Sequence, residues 1–239
     1  MKILYLFMIF KKILLTFSLL NINIDSTGLL IPYSIGALGY IKKNLNICDY
    51  HLTGISGGSF ASIIYHLEDD LSNHDKIWNK LIGDDNYIIK FNKNLDEFQQ
   101  IIKNNMMNKY KDINTYNIPI SIVVSKINNL KITNEKINKY KNFEELIDYC
   151  ICSSYIPYIS GKTFSKNYKN NNYIDGAIFK NLHHFDCIDK CEKPIYINKY
   201  MANRIFNLKD FLYLDKNKSQ YLFNYGWNDC EKIFKDYYK

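Results

Sequence analysis

Alternation of apolar and polar stretches along the chain predicts strands and helices in turn. Phe17–Asp25 (FSLLNINID) reads as a strand, ending in the turn-like Ser26-Thr27-Gly28. Tyr33–Lys43 carries Ile35, Leu38 and Ile41 at helical spacing. A second strand is predicted over Tyr50–Ile55, halted by Ser56-Gly57-Gly58 and followed by a helix over Ser59–Leu67. Asp69–Tyr116 is polar and reads as mostly helical, with Trp78, Leu81, Phe98 and Ile101 as its apolar anchors. The β-branched run Pro119–Lys126 fits a strand buried on both faces. Phe143–Cys152 reads as a helix, with Glu144 and Glu145 matched to its positive first turn. Tyr173 and Ile174 lead into Asp175-Gly176-Ala177, and Pro194–Lys199 is a late strand. Strands alternating with helices predict one α/β domain with a largely parallel sheet covered on both faces.

Residues 1–16 sit apart from this pattern as an apolar N-terminal segment, leaving 17–239 as the domain. Lys11 and Lys12 interrupt Met1–Leu20, and neither half reaches the roughly 18 apolar residues of a spanning helix. No small-x-small cleavage site follows before the first strand. An added edge strand or a surface-associated segment is favoured over a signal or an anchor. The expected location is accordingly cytoplasmic or peripheral to a membrane.

Composition changes this picture little. A chain of 239 residues with 47% hydrophobic content folds around a core. The net charge of +7 draws it towards anionic surfaces. Nucleic acid is not an expected partner, because Arg204 is the one arginine and no dense basic run occurs. Six cysteines are present. Cys150-x-Cys152 and Cys187-x3-Cys191, even with His183 and His184 nearby, lack the spacing of a zinc knuckle. Reduced, mostly buried thiols and no metal are expected.

Candidate chemistry centres on Gly54-Ile55-Ser56-Gly57-Gly58, a G-x-S-x-G pentapeptide between a predicted strand and helix. A sharp turn there presents the Ser56 hydroxyl, Gly54 and Gly58 admit close packing, and the helix N-terminus favours a developing anion. A serine needs an adjacent base. The order Ser56, Asp175, then His183 or His184 fits an α/β-hydrolase, although eight or nine residues is a short reach between active-site loops. Asp175 acting alone is the other solution: in a buried setting its raised proton affinity suits general-base work.

Taken together, these elements resemble the patatin-like phospholipase family, which uses a Ser–Asp dyad without histidine. The family's D-G-G-G-x-R-G loop has its counterpart in Asp25-Ser26-Thr27-Gly28-Leu29-Leu30-Ile31, which departs from it at Ser26, Thr27, Leu30 and Ile31. Gly54–Gly58 matches the nucleophile motif, and Cys152-Ser153-Ser154-Tyr155-Ile156-Pro157 is similar to a family A-S-x-x-x-P segment. Asp175-Gly176-Ala177 matches the D-G-[GA] motif, with Asn181 at a position where the family often has Asn. Tyr33 and Gly36 are similar to positions in the branch that includes triglyceride lipases. The resemblance spans about Phe17 to Asn181. It implies a three-layer α/β/α fold, Ser56 as nucleophile, Asp175 as base, and an oxyanion hole at Thr27, Gly28 and Leu29. The implied activity is hydrolysis of phospholipid or acylglycerol esters at a membrane or lipid-droplet surface, with no cofactor. A catalytically impaired lipid-binding protein on the same fold is the alternative.

Overall fold

A computed structural model describes residues 19–45, 47, 49–128, 131–178, 194–198, 201 and 206–237. The N-terminal segment 1–16, Cys48, Asn181, His183, His184, Cys187, Cys191 and Arg204 lie outside the described residues. In chain order, β1 (Leu20–Ile24) leads through a 3-10 turn (Gly28–Leu30) into α1 (Ile31–Asn44). Next come β2 (Tyr50–Ile55), α2 (Gly57–Leu67), α3 (His74–Leu81), the short β3 (Ile89–Lys90) and α4 (Leu95–Tyr110). Then β4 (Ile120–Asn128) pairs with β5 (Lys131–Ile137), and α5 (Phe143–Ser153) precedes the hairpin β6 (Lys166–Tyr168) and β7 (Asn171–Ile174). The described remainder is β8 (Ile195–Ile197), α6 (Leu208–Leu212), β9 (Tyr213–Leu214) and α7 (Lys216–Tyr237).

The fold is mixed α/β, with helices packed around a mostly parallel sheet. Strands β8, β1, β2 and β4 are adjacent and parallel. Every residue from Leu52 to Ile55 and from Ile120 to Ser125 is buried, as a parallel sheet covered on both faces requires. Its two faces differ in chemistry. Ile22, Ile24, Leu52, Ile120, Ile122 and Val124 join the core shared with the helices. The alternate positions Asn21, Asn23, Thr53, Ser121 and Ser125 are equally buried but polar.

Three differences from the sequence reading stand out. The sheet continues beyond β4 as an antiparallel arm of β5, β7 and β6, which the sequence pattern leaves unassigned. The stretch Asp69–Tyr116 breaks into two helices around β3, which pairs antiparallel with β9. The C-terminal α7, also unassigned, runs for 22 residues and packs tightly on α1. Backbone contact explains that closeness: a Cβ on Gly226 would lie 1.8 Å from the Tyr33 carbonyl oxygen, and one on Gly36 2.0 Å from that of Phe223. The Tyr33 hydroxyl donates to Asp229 Oδ2 at 2.9 Å across the same seam.

Local chemistry accounts for the elements that carry the site. Asn142 caps α5 by accepting the Glu145 amide at 2.9 Å. The β6–β7 turn places Lys169 at φ 48° and Asn170 at φ 61°, the paired positive values of a two-residue hairpin whose twist matches its strands. No helix among the described residues is long and apolar enough to cross a membrane.

Candidate active site

Strand register brings Ser56 and Asp175 together. β5 lines one edge of β4 over Ile122–Asn128, so β2 and β7 share the other edge. β2 runs parallel to β4 and ends with Ile55 opposite Val123. β7 runs antiparallel and ends with Ile174 opposite Ser125. The two strands therefore point at each other and stop on either side of Val124. The residues that follow them are Ser56 and Asp175.

The Ser56 hydroxyl donates to Asp175 Oδ2 at 2.6 Å, joining positions 119 apart in sequence. Both side chains are almost fully enclosed, with Ser56 4% and Asp175 5% exposed. Ser56 caps α2 with φ 52° and ψ −125°. A non-glycine residue in such a conformation costs about 1–3 kcal/mol and persists where the surroundings impose it. Here the Ser56 amide donates to Ser153 Oγ at 2.8 Å, and that hydroxyl donates to the Val123 carbonyl at 2.6 Å. The Ser56 carbonyl accepts both the amide and the hydroxyl of Ser59.

Asp175 is held as firmly. Its Oδ1 accepts the Ala177 amide at 2.8 Å, its own amide donates to the Tyr155 carbonyl, and the Gly176 amide donates to the Ser153 carbonyl. The Ser125 hydroxyl donates to the Asp175 carbonyl at 3.0 Å, and Asn134 Nδ2 donates to the Gly176 carbonyl at 3.1 Å. Burial raises the Asp175 carboxyl from 3.8 to about 6, and the charge of Asp25 adds to that rise. The hydrogen bonds from Ser56 and Ala177 act in the opposite direction. A carboxylate so placed is ionised at neutral pH yet basic enough to take a proton from Ser56.

The glycines of the elbow are sites of close approach. A Cβ on Gly58 would lie 2.4 Å from the Ile24 carbonyl oxygen and one on Gly57 2.8 Å from that of Gly28. One on Gly54 would lie 2.6 Å from the Ser59 Cα, and one on Gly176 2.3 Å from the Val123 carbonyl oxygen. These contacts seat the loop Asp25–Leu30 directly against the start of α2. Within the loop the positive φ of 52° falls on Gly28, whereas Thr27 has an ordinary φ of −118°. The loop thus forms without backbone strain at Ser26 or Thr27, where it departs from the all-glycine pattern. Leu30 and Ile31 turn into the core. Among the described residues, the amides of Gly28, Leu29 and Gly57 donate no hydrogen bond outside their own helical turns.

Behind α2 the core packing leaves a small apolar cavity. Ile31, which abuts Gly57, and Phe60, one turn along α2 from Ser56, are part of its lining. Ile77, Trp78 and Phe223 continue the lining, and His74 and Ser219 belong to it as well.

The described histidines are engaged elsewhere. His51, His66 and His74 bond Ser121, Tyr50 and Ser219 respectively. Cys150, Cys152 and Cys230 are buried free thiols, and burial raises that of Cys152 to about 12. Sequence reasoning did not identify the supporting roles of Ser153, Ser125 and Asn134. Ser153 lay within a motif it had noted, but nothing in the Lys131–Ile137 pattern marks Asn134.

Fold and site together define a mixed α/β protein with a buried Ser–Asp pair at a strand-to-helix elbow. Compared with protein-family models and with curated proteins, the chain matches none.

Proposed function

We propose that this chain is a serine acyl hydrolase of the patatin-like type, built on a three-layer α/β/α version of the fold described above. The observation that carries the reading is the 2.6 Å hydrogen bond from Ser56, at a strained elbow, to a buried Asp175 whose carboxyl is raised to about 6.

In the proposed reaction, Asp175 Oδ2 accepts the Ser56 proton as Ser56 Oγ bonds to the ester carbonyl carbon. Negative charge then develops on the carbonyl oxygen. The amides of Gly28, Leu29 and Gly57, beside the N-terminus of α2, are the groups placed to stabilise it. Collapse breaks the bond to the leaving alcohol, which takes the proton from Asp175 and leaves an acyl-Ser56 ester. Water attacks that ester, giving its proton to Asp175, and Ser56 Oγ recovers a proton as the carboxylic acid departs. The chain's own residues supply every proton transfer. Phospholipids or acylglycerols presented at a membrane or lipid-droplet surface are the proposed esters, a choice supported by the motif resemblance and by the net charge of +7.

The test is hydrolysis of a short-chain ester and of a phospholipid by wild type, Ser56→Ala and Asp175→Asn. Loss of turnover in both variants with cooperative unfolding retained supports the dyad. Wild-type turnover in either variant contradicts it. An inert wild type points instead to an impaired lipid-binding protein on the same fold.

A further inference from the structure

We infer that the Thr27 hydroxyl is itself an oxyanion donor, a side-chain addition to the backbone hole; this rests on the hydrolase reading above. Thr27 is 1% exposed, and its Oγ1 has no hydrogen-bond partner among the described residues. Its carbonyl is engaged, accepting the Leu30 amide at 2.8 Å, so the local turn is complete without the hydroxyl. A buried hydroxyl left unpaired costs stability that a valine of the same shape would not. The position therefore carries a polar group that the resting fold does not use.

Its place gives that group a role. Thr27 Oγ1 lies 3.0 Å from where a Cβ on Gly57 would stand. Gly57 follows the nucleophile and is the first residue of α2, so the hydroxyl lies beside the helix end where a developing anion is favoured. A group that stabilises charge only as it develops has no need of a partner beforehand, and serine and similar hydroxyls serve as such donors. Three other described side chains have buried unpartnered atoms, Asn21, Ser34 and His74, and they belong to β1, α1 and α3. Thr27 alone lies in the loop between β1 and the 3-10 turn. During attack the Oγ1–H turns towards the carbonyl oxygen, donates a hydrogen bond, and keeps its proton throughout.

Thr27→Val, Thr27→Ala and Thr27→Ser are compared with wild type by kcat and KM on a short-chain ester and by melting temperature. Thr27→Val and Thr27→Ala are expected to lower kcat by about 10²–10³-fold with KM little changed. Thr27→Val should melt at or above the wild-type temperature, and Thr27→Ser should keep kcat within a few-fold. Wild-type kcat in Thr27→Val overturns the inference, as does a fall in kcat accompanied by an equal loss in Thr27→Ser or by a lowered melting temperature in all three. If wild type hydrolyses no faster than Ser56→Ala, the hydrolase reading fails and takes this inference with it. Wild-type turnover with an unaffected Thr27→Val removes the inference alone.

Discussion

Replacing Asp175 by Asn should change how the stability of the protein depends on pH. Asp175 is buried, and its carboxyl is raised from 3.8 to about 6 in the folded chain. Between those values the unfolded chain has released the proton while the native chain still holds it. Stability must therefore fall as pH rises through this window, and level off above about pH 6. At about 1.4 kcal/mol for each tenfold change, the difference amounts to about 3 kcal/mol, lost between pH 4 and pH 7. The amide introduced by Asp175→Asn titrates nowhere in that range. It can still accept the Ala177 amide and reach Ser56 Oγ, so the local hydrogen bonds survive in altered polarity. Urea unfolding of both proteins from pH 4 to pH 8 measures the effect, since titrating groups that do not interact with Asp175 cancel in the difference. Relative to wild type, Asp175→Asn should gain about 3 kcal/mol between pH 4 and pH 7. Stability curves that stay parallel across this range would refute the argument that burial raises this carboxyl.

Three further outcomes are expected. The kcat/KM of ester hydrolysis should rise with pH along an acid limb centred near the Asp175 value of about 6, because the base works only when ionised; a pH–rate profile checks this. Ser153→Ala leaves the buried Ser56 amide without its acceptor, and should lower unfolding free energy by about 1–3 kcal/mol and reduce kcat, measured by denaturation and turnover. Phe60 packs in the core from α2, so Phe60→Ala should lower the unfolding free energy by about 3–5 kcal/mol, measured by denaturation.

The parallel half of the fold was legible because β1, β2 and β4 are buried along most of their length. Tyr50–Ile55 appears as β2 at the bounds the pattern suggests, and α5 extends only one residue past the expected Cys152. The antiparallel arm was not. Lys131–Ile137 lies at the edge of the sheet with half-exposed, mixed residues, so neither apolar continuity nor clean alternation marks it. Helix α7 is similarly masked, since its fit to α1 depends on Gly226 meeting the Tyr33 carbonyl, a match between distant residues. The same division holds at the site. The elbow around Ser56 and the turn at Asp175 each have a local signature. Their meeting depends on β7 running against β4 in one register, and that information is spread over hydrogen bonds the sequence does not display. Ser153 and Asn134 act through backbone carbonyls of Val123 and Gly176, so their roles emerge only once the strands are in place. The loop shows the opposite case. Ser26 and Thr27 stand where the D-G-G-G pattern has glycine, yet the one positive φ there falls on Gly28.

The central proposal is that Ser56 is a nucleophile activated by Asp175. Intact mass followed by peptide mapping, after incubation with a fluorophosphonate, tests this most directly. One adduct located on Ser56, absent from Ser56→Ala and formed far more slowly by Asp175→Asn, is the predicted result. An unmodified wild-type protein, or an adduct that persists in Ser56→Ala, contradicts it.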